Sequence, residues 1–422
     1  MNNTLMGRAL FAVLSAWALS ALAAPAEPIS LAEAVGRTLA ASPVLAVFPH
    51  RLRIADGQLV QAGVDPGMAL SVEAENLGTS GAAAGLGETE LTLSLSRLIE
   101  LGSKRERRLR VAALSRDDAQ LDYEIARLDV LGEAVSRYID LAEAQAAVDL
   151  ARRGLELTAA DRAGAALRVE AGAAPRADLL RLDIARQQAD LELRRAEMAR
   201  RNASQRLASL WGENGETGLR AAAPLMPLPA LPALGDIQSR LAGAPRLRQF
   251  ASRERLEQAQ LRLAEANGRR DLTLSLGARH DGLDHDNSLL LGISVPLHLA
   301  DPNRGHQASA RAALAVTAAE AELARVELLA VLDSAYRALQ LAREAFAVVS
   351  GQSLPLASQL GDEIGAGYRA GRYSVLDLGD ARREQLTLER QALALAADFH
   401  RHYNELERLT GEQLVAAGER TP

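Results

Sequence analysis

VEAGAAPRADLLRLD (residues 169–183) and YRAGRYSVLDLGDAR (residues 368–382) state one pattern twice. In each, an acid follows a glycine by six positions: Asp178 after Gly172, and Asp377 after Gly371. A Gly-Glu pair then closes each following segment, at Gly212-Glu213 and Gly411-Glu412, so both landmarks repeat with an offset of 199 residues. Two landmarks that keep one spacing indicate an internal duplication. Each copy reads as the tip of a helical hairpin. A helix ends, a glycine turns the chain, and an acid opens the return helix at its positive end.

Composition narrows what these hairpins belong to. Among 422 residues alanine, leucine, arginine and glutamate dominate, aromatics are 3% and cysteine is absent. That mixture favours long helices packed through small side chains over a deep aromatic core. The net charge of -6, with arginines interleaved among acids, argues against a nucleic-acid partner. Without cysteine there is no disulfide framework, thiolate metal site or lipidated N-terminal cysteine.

Residues 1–23 read as a signal peptide. Met1–Arg8 carries one positive charge, Ala9–Ala23 is apolar, and Ala21-Leu22-Ala23 is a small-x-small cleavage site. The exported chain then begins near Ala24. No later run reaches the roughly eighteen apolar residues of a membrane helix, so any entry into a membrane must be by strands.

Two stretches in each copy have the period of a strand. Met68, Leu70, Val72 and Ala74 alternate with Ala69, Ser71, Glu73 and Glu75, predicting a strand over 68–76. Leu91, Leu93 and Leu95 alternate with Thr92, Ser94 and Ser96, predicting a second over 88–97. The later pair is expected at 271–279 (Leu272, Leu274, Leu276) and 287–296 (Leu289, Leu291, Ile293). All are near the nine to eleven residues that cross a bilayer as tilted strands, a length that soluble hairpins share.

Long helices follow each pair. Leu121, Ile125, Leu128, Leu131, Val135 and Tyr138 recur at steps of three and four. They predict a helix from 104 to about Gly164, roughly 90 Å long, and a return from about Arg176 to Leu210. In the second copy the outbound helix is expected to reach Val349 and the return helix to end near Leu409. Helices of that length must pack on one another as coiled coil. The expected plan is a first repeat over 24–213 with its helical hairpin at 104–212, and a second over 235–412 with its hairpin at 305–410. A Pro-rich linker over 214–234 (Pro224, Pro227, Pro229, Pro232) joins them, and 413–422 is a tail.

The fold class is therefore mainly α with a small membrane β part. Four strands cannot close a barrel, and lipid tolerates no open edge. Three copies would supply twelve strands, continued by twelve long helices.

At this point the residues resemble a family. The signal peptide, the duplicated plan, and Tyr368-x-x-Gly371 followed by Asp377 and Asp380 are similar to the TolC family of outer-membrane efflux channels. The exit turns Glu100-Leu101-Gly102-Ser103-Lys104-Arg105 and Val295-Pro296-Leu297 look like that family's strand-to-helix signatures. The first resembles the heavy-metal (cobalt-zinc-cadmium type) branch, which usually has a second glycine where Ser103 stands. The resemblance covers essentially the whole mature chain. It implies a homotrimer in the outer membrane of a Gram-negative bacterium, with a large periplasmic tunnel. A periplasmic adaptor and an inner-membrane pump of the RND type would dock at the tips, near the turns at Gly172 and Gly371. It further implies that Asp377 and Asp380 line the constricted entrance, while Tyr368, Asp178 and Arg372 hold neighbouring hairpins closed. The family's arginine two places after the second glycine is replaced here by Tyr373, with Arg372 one place earlier.

Apart from the family, Asp377 and Asp380 are three apart and share a helix face. On a threefold axis they would stack as two carboxylate rings that favour cations. The alternative is that both only complement a helix N-terminus. His280-Asp281 and His285-Asp286 read as polar turn residues more readily than as metal ligands. His400 and His402, two apart on a helix, point to different faces. No nucleophile elbow, phosphate loop or zinc-protease motif is present, so neither an enzyme nor a cofactor is expected. The competing reading is a soluble periplasmic coiled-coil adaptor or scaffold. Such a protein normally has one hairpin flanked by compact β domains, whereas two hairpins here each follow a strand pair.

Overall fold

The computed structural model describes residues 28–77, 89–215, 217–282, 284–297, 301 and 303–411. The expected signal peptide and tail, most of the first strand-hairpin loop, and Glu412 lie outside the described residues.

The first copy runs β1 (Pro28–Ile29), α1 (Leu31–Ala41), α2 (Pro43–Ala46), α3 (Phe48–Ala62), β2 (Met68–Glu75), β3 (Glu90–Ile99), α4 (Lys104–Glu170) and α5 (Arg176–Ala208). The linker contributes β4 (Arg220–Ala221), parallel to β1. The second copy runs α6 (Leu234–Leu241), α7 (Pro245–Asn267), β5 (Leu272–Asp281), β6 (Asn287–Ser294), α8 (Arg304–Val348), α9 (Leu354–Arg369) and α10 (Val375–Thr410).

Strands β2, β3, β5 and β6 form one antiparallel sheet in the order β2-β3-β5-β6, so the two copies meet at β3 and β5. The register aligns the apolar positions across all four strands: Val72 pairs with Leu93, Leu93 with Ala278, and Ala278 with Leu289. Side chains alternate between faces, so one face is mainly aliphatic and the other carries Ser71, Ser94, Thr92 and Arg279. The aliphatic face is bare. Leu70, Val72, Leu276, Leu289, Leu291 and Ile293 are all exposed.

At 67 residues, α4 is about 100 Å long and forms the spine. Towards the sheet it packs against α3 and α7; towards the tip it packs against α5 and α10. Midway, two cores hold the short helices to the bundle. One joins Ile29, Ala34, Tyr138, Leu141, Leu207 and Trp211; the other joins Ile237, Leu241, Leu332, Leu339, Phe399 and Leu406. Leu207 and Leu406 stand 199 apart and are both fully buried, so the duplication extends into the packing.

Sheet and bundle are fastened at one junction. Lys104, the only lysine in the chain, donates from Nζ to both Asp271 carboxylate oxygens and to the Arg269 carbonyl, each at 2.8 Å. The Leu101 N–H donates to the same carboxylate at 3.0 Å. The turn leaving β3 is thereby bonded to the turn entering β5.

Both outbound helices run past their expected ends, α4 reaching Glu170 instead of about Gly164. The outbound helix of the second copy passes Val349 and ends at Arg369, through a π-helical turn at Val349–Ser353. Ser350-Gly351-Gln352-Ser353 reads as a breaker, and Pro355 lacks the N–H that an unbroken ladder needs. The wider turn absorbs both without ending the helix.

Candidate functional site

Both tips turn by the same device. Gly172 and Gly371 have φ of 71° and 79°, a left-handed conformation that favours glycine. The Gly172 N–H donates to the Val169 carbonyl at 3.0 Å and the Ala173 N–H to the Arg168 carbonyl at 2.8 Å. Gly371 and Arg372 repeat the pair onto Tyr368 and Gly367, at 3.0 and 2.8 Å. These two bonds define a Schellman ending in each copy.

The return helices begin differently. In the second copy Ser374 and Asp377 form a reciprocal capping box: the Asp377 N–H donates to the Ser374 hydroxyl at 3.2 Å, and the Ser374 N–H donates back to the Asp377 carboxylate at 2.8 Å. The Ser374 hydroxyl also donates to that carboxylate at 2.7 Å. Those two donors hold the Asp377 carboxyl below the usual carboxylate range. In the first copy Pro175 stands at the N-cap without a side-chain bond, and the Asp178 N–H donates to its carbonyl at 3.0 Å. Asp380, one turn after Asp377, is exposed and paired with Arg383.

Between the tips lies a small core of Ala165, Leu182, Ile364, Tyr368, Val375, Leu378 and Ala381. Tyr368 is only 3% exposed, and the Arg168 guanidinium sits over its ring at 4.7 Å. That cation–π contact joins the end of α4 to the end of α9. Burial first, then the charge of Asp178, raises the Tyr368 hydroxyl above its ordinary pKa. Tyr368 thus lies within reach of the Asp178 charge, whereas Arg372 is exposed and its backbone N–H donates to the Gly367 carbonyl. Two residues that sequence reasoning missed complete the site: Arg168, and Arg382, whose Nε donates to Asp161 of α4 at 3.2 Å. Comparing the copies at the 199-residue offset could have found Arg382, since its counterpart is the acid Asp183.

The histidines fall elsewhere. His280 Nδ1 is 3.0 Å from Asn287 Oδ1, and its ring stacks on His285 with centroids 6.4 Å apart. Among the described residues no group of three or more His, Asp or Glu is arranged to hold a metal ion. His400 is half-buried and donates from Nε2 to the Leu225 carbonyl at 2.8 Å, tying the linker to α10. Burial lowers its pKa. No single helix among the described residues is long and apolar enough to cross a membrane.

This architecture is that of known outer-membrane proteins. The chain is 27% identical over 388 residues to the cobalt-zinc-cadmium resistance protein CzcC of Cupriavidus metallidurans, covering 92% of this chain and 91% of CzcC. The outer membrane protein VceC of Vibrio cholerae superposes with a TM-score of 0.76 at 20% identity, covering 91% of this chain and 97% of VceC. CusC, known from structures describing transmembrane channel formation, gives 0.74 at 15% identity over 94% of this chain and 96% of its own. The pattern of the outer membrane efflux protein family matches residues 34–213 and again 237–412, and the chain belongs to that family.

Proposed function

We propose that three copies of this chain form the exit duct of a tripartite heavy-metal efflux system. The observation that carries this reading is the sheet: four strands with one continuous exposed aliphatic face and two open edges, β2 and β6. A single chain cannot satisfy those edges in lipid. Pairing β2 of one chain with β6 of the next, three times, closes a twelve-stranded barrel whose aliphatic face meets lipid. The bare face disfavours a soluble adaptor. Below the barrel, α5 and the α8–α9 helix are the outer members of the bundle, and each presents exposed aliphatics: Ile184, Leu191 and Met198 on one, Val316, Leu323 and Leu356 on the other. Joining these flanks between neighbours closes a twelve-helix tunnel.

In this arrangement residues 1–23 are removed on export, and the repeats over 24–213 and 235–412, joined by the 214–234 linker, contribute equally to the wall. The tips around Gly172 and Gly371 receive a periplasmic adaptor and an inner-membrane pump. Asp377 and Asp380 ring the entrance. The likeness to CzcC supports metal cations as the cargo. The duct is passive and performs no catalysis.

Loss of the gene should sensitise its host to cobalt, zinc or cadmium, and the purified protein should have a trimer's mass in detergent. A monomeric mass, or a chain released from membranes by carbonate, would overturn the assembly. Unchanged metal tolerance would overturn the cargo.

A further inference from the structure

The aliphatic face of the sheet carries one charge among its described residues, Arg97. Its register places it there: Arg97 pairs with Met68 on β2 and with Leu274 on β5, both aliphatic, and follows Leu91, Leu93 and Leu95 along the same side of β3. Its side chain is exposed, and no carboxylate among the described residues pairs with it. An unpaired guanidinium on a lipid-facing surface is costly unless its head reaches the polar layer. Arg97 lies near the helix-proximal end of β3, three residues before Glu100, so its head can extend to that boundary.

The same level of the molecule is basic. Lys104-Arg105-Glu106-Arg107-Arg108-Leu109-Arg110 opens α4 directly below the strand, and a cavity of about 430 Å³ opens there between Pro66, Arg97, Ile99 and Arg105, with Asp65 and Glu100 also in its wall. Arg105 and Arg108 are paired, with Asp65 and Glu100 respectively. Among the described residues Arg97 is the cation on the aliphatic face, and no carboxylate pairs with it there. The opposite end of the sheet carries Glu75, Glu90, Asp281 and Asp286, against which Arg279, paired with Glu75 and Glu90, is the one arginine on the strands there. Charge complementarity thus assigns an anionic group to the helix-proximal end alone.

We propose that Arg97 binds the phosphate of an anionic phospholipid in the periplasmic leaflet, one per chain, and thereby sets how deep the barrel sits. The inference rests on the outer-membrane reading above. A guanidinium gives a phosphate two parallel charge-assisted bonds, and the flanking Met68, Leu274 and Ile99 line the acyl chains.

The test is native mass spectrometry of the full-length protein in mild detergent, titrated with dioleoylphosphatidylglycerol. Dioleoylphosphatidylcholine and inorganic phosphate serve as comparators. Wild type should retain one phosphatidylglycerol per chain and little phosphatidylcholine. Arg97→Gln should weaken that binding by about tenfold, the loss of a charge-assisted hydrogen bond, while Arg97→Lys keeps most of it. Circular dichroism and oligomer mass identify any variant that misfolds, and Arg97→Leu, which only extends the aliphatic face, then replaces the Gln variant. Equal binding by wild type and the folded variants, equal affinity for the two lipids, or displacement by millimolar inorganic phosphate would each overturn the site. A wild-type protein that stays soluble without detergent would instead remove the outer-membrane reading itself.

Discussion

Arg382 of α10 reaches across the tip to Asp161 of α4, Nε to Oδ2 3.2 Å, with side chains only 21% and 17% exposed. The duplication explains how this bond arose. The position 199 residues before Arg382 is Asp183, which pairs inside its own hairpin with Arg162 at 2.5 Å. Opposite Arg382, the counterpart of Arg162 is Gly361. A Cβ on Gly361 would come within 3.1 Å of Gln385 and 3.4 Å of the Arg382 guanidinium. One copy therefore ties its hairpin to itself, and the other has exchanged the charge and cleared the path to reach its neighbour.

Breaking that tie should loosen the tip without unfolding the chain. Arg382→Ala and Asp161→Ala should each cost about 1–2 kcal/mol, discounted from a fully buried pair because water reaches both groups. A double-mutant cycle in denaturant should return a coupling near 1 kcal/mol. Planar-bilayer conductance should rise in both variants. Additive effects would show that the two side chains act separately.

The face assignment of the sheet gives a second outcome. Leu291 is 78% exposed on the aliphatic face, so Leu291→Arg should cost about 2–4 kcal/mol at mid-bilayer and block assembly. Ser96, on the opposite face between Ala69 and Ser275, should accept arginine. Ser288 is a poorer control, because it pairs with Arg279 and a second arginine there would add repulsion. Heat-modifiable migration of the two variants on gels distinguishes them. Equal tolerance would reverse the faces.

The exit turn of β3 makes a third. Ser103 holds φ of 58° and ψ of 33°, a left-handed conformation costing a side chain about 1–2 kcal/mol. Ser103→Gly should therefore raise stability by about 1 kcal/mol. Gly102→Ala should do the opposite, because its φ is 81° and the new Cβ would meet the Arg269 side chain at 2.5 Å. Thermal denaturation in detergent measures both. A lower melting temperature for Ser103→Gly would refute the strain.

Which parts were legible follows from where their signals lie along the chain. The alternation of Leu70, Val72 and Leu93 is local, and so are the turns at Gly172 and Gly371. The capping box was also written locally, as Ser374 three residues before Asp377. Cross-copy contacts were not. Arg168 over Tyr368 and Arg382 on Asp161 depend on how two hairpins lie side by side, a relation with no fixed sequence spacing. The end of the second outbound helix was misjudged because Ser350-Gly351 resembles a stop, while the π-turn that carries the helix past it has no sequence signature.

The acids proposed to ring the entrance give the last outcome, and the structure sharpens how to test them. Asp377 is already occupied as a helix cap, while Asp380 is exposed beside Arg383. Removing the Asp377 carboxylate outright would confuse a lost cap with a lost charge. Asp377→Asn avoids this, since the amide oxygen can still accept from the Ser374 N–H. Six carboxylates gathered on a threefold axis should favour cations and hold multivalent ones most tightly. The double variant Asp377→Asn with Asp380→Asn should therefore abolish block by a trivalent cation added from the tip side and reduce cation selectivity. The mass of the proposed trimer should not change, because in that arrangement barrel and tunnel would close independently of the tip. The sign with pH is set by the depressed Asp377 pKa. Its contribution to helix stability is present above the unfolded carboxylate pKa and is lost as pH falls through the lower folded value. Block that depends on Asp377 should accordingly persist at pH values where an ordinary aspartate has begun to protonate. Single-channel recording of wild type and double variant, with the cation added to each side in turn, decides the matter. If the variant kept wild-type block and selectivity, both acids would serve only to start α10.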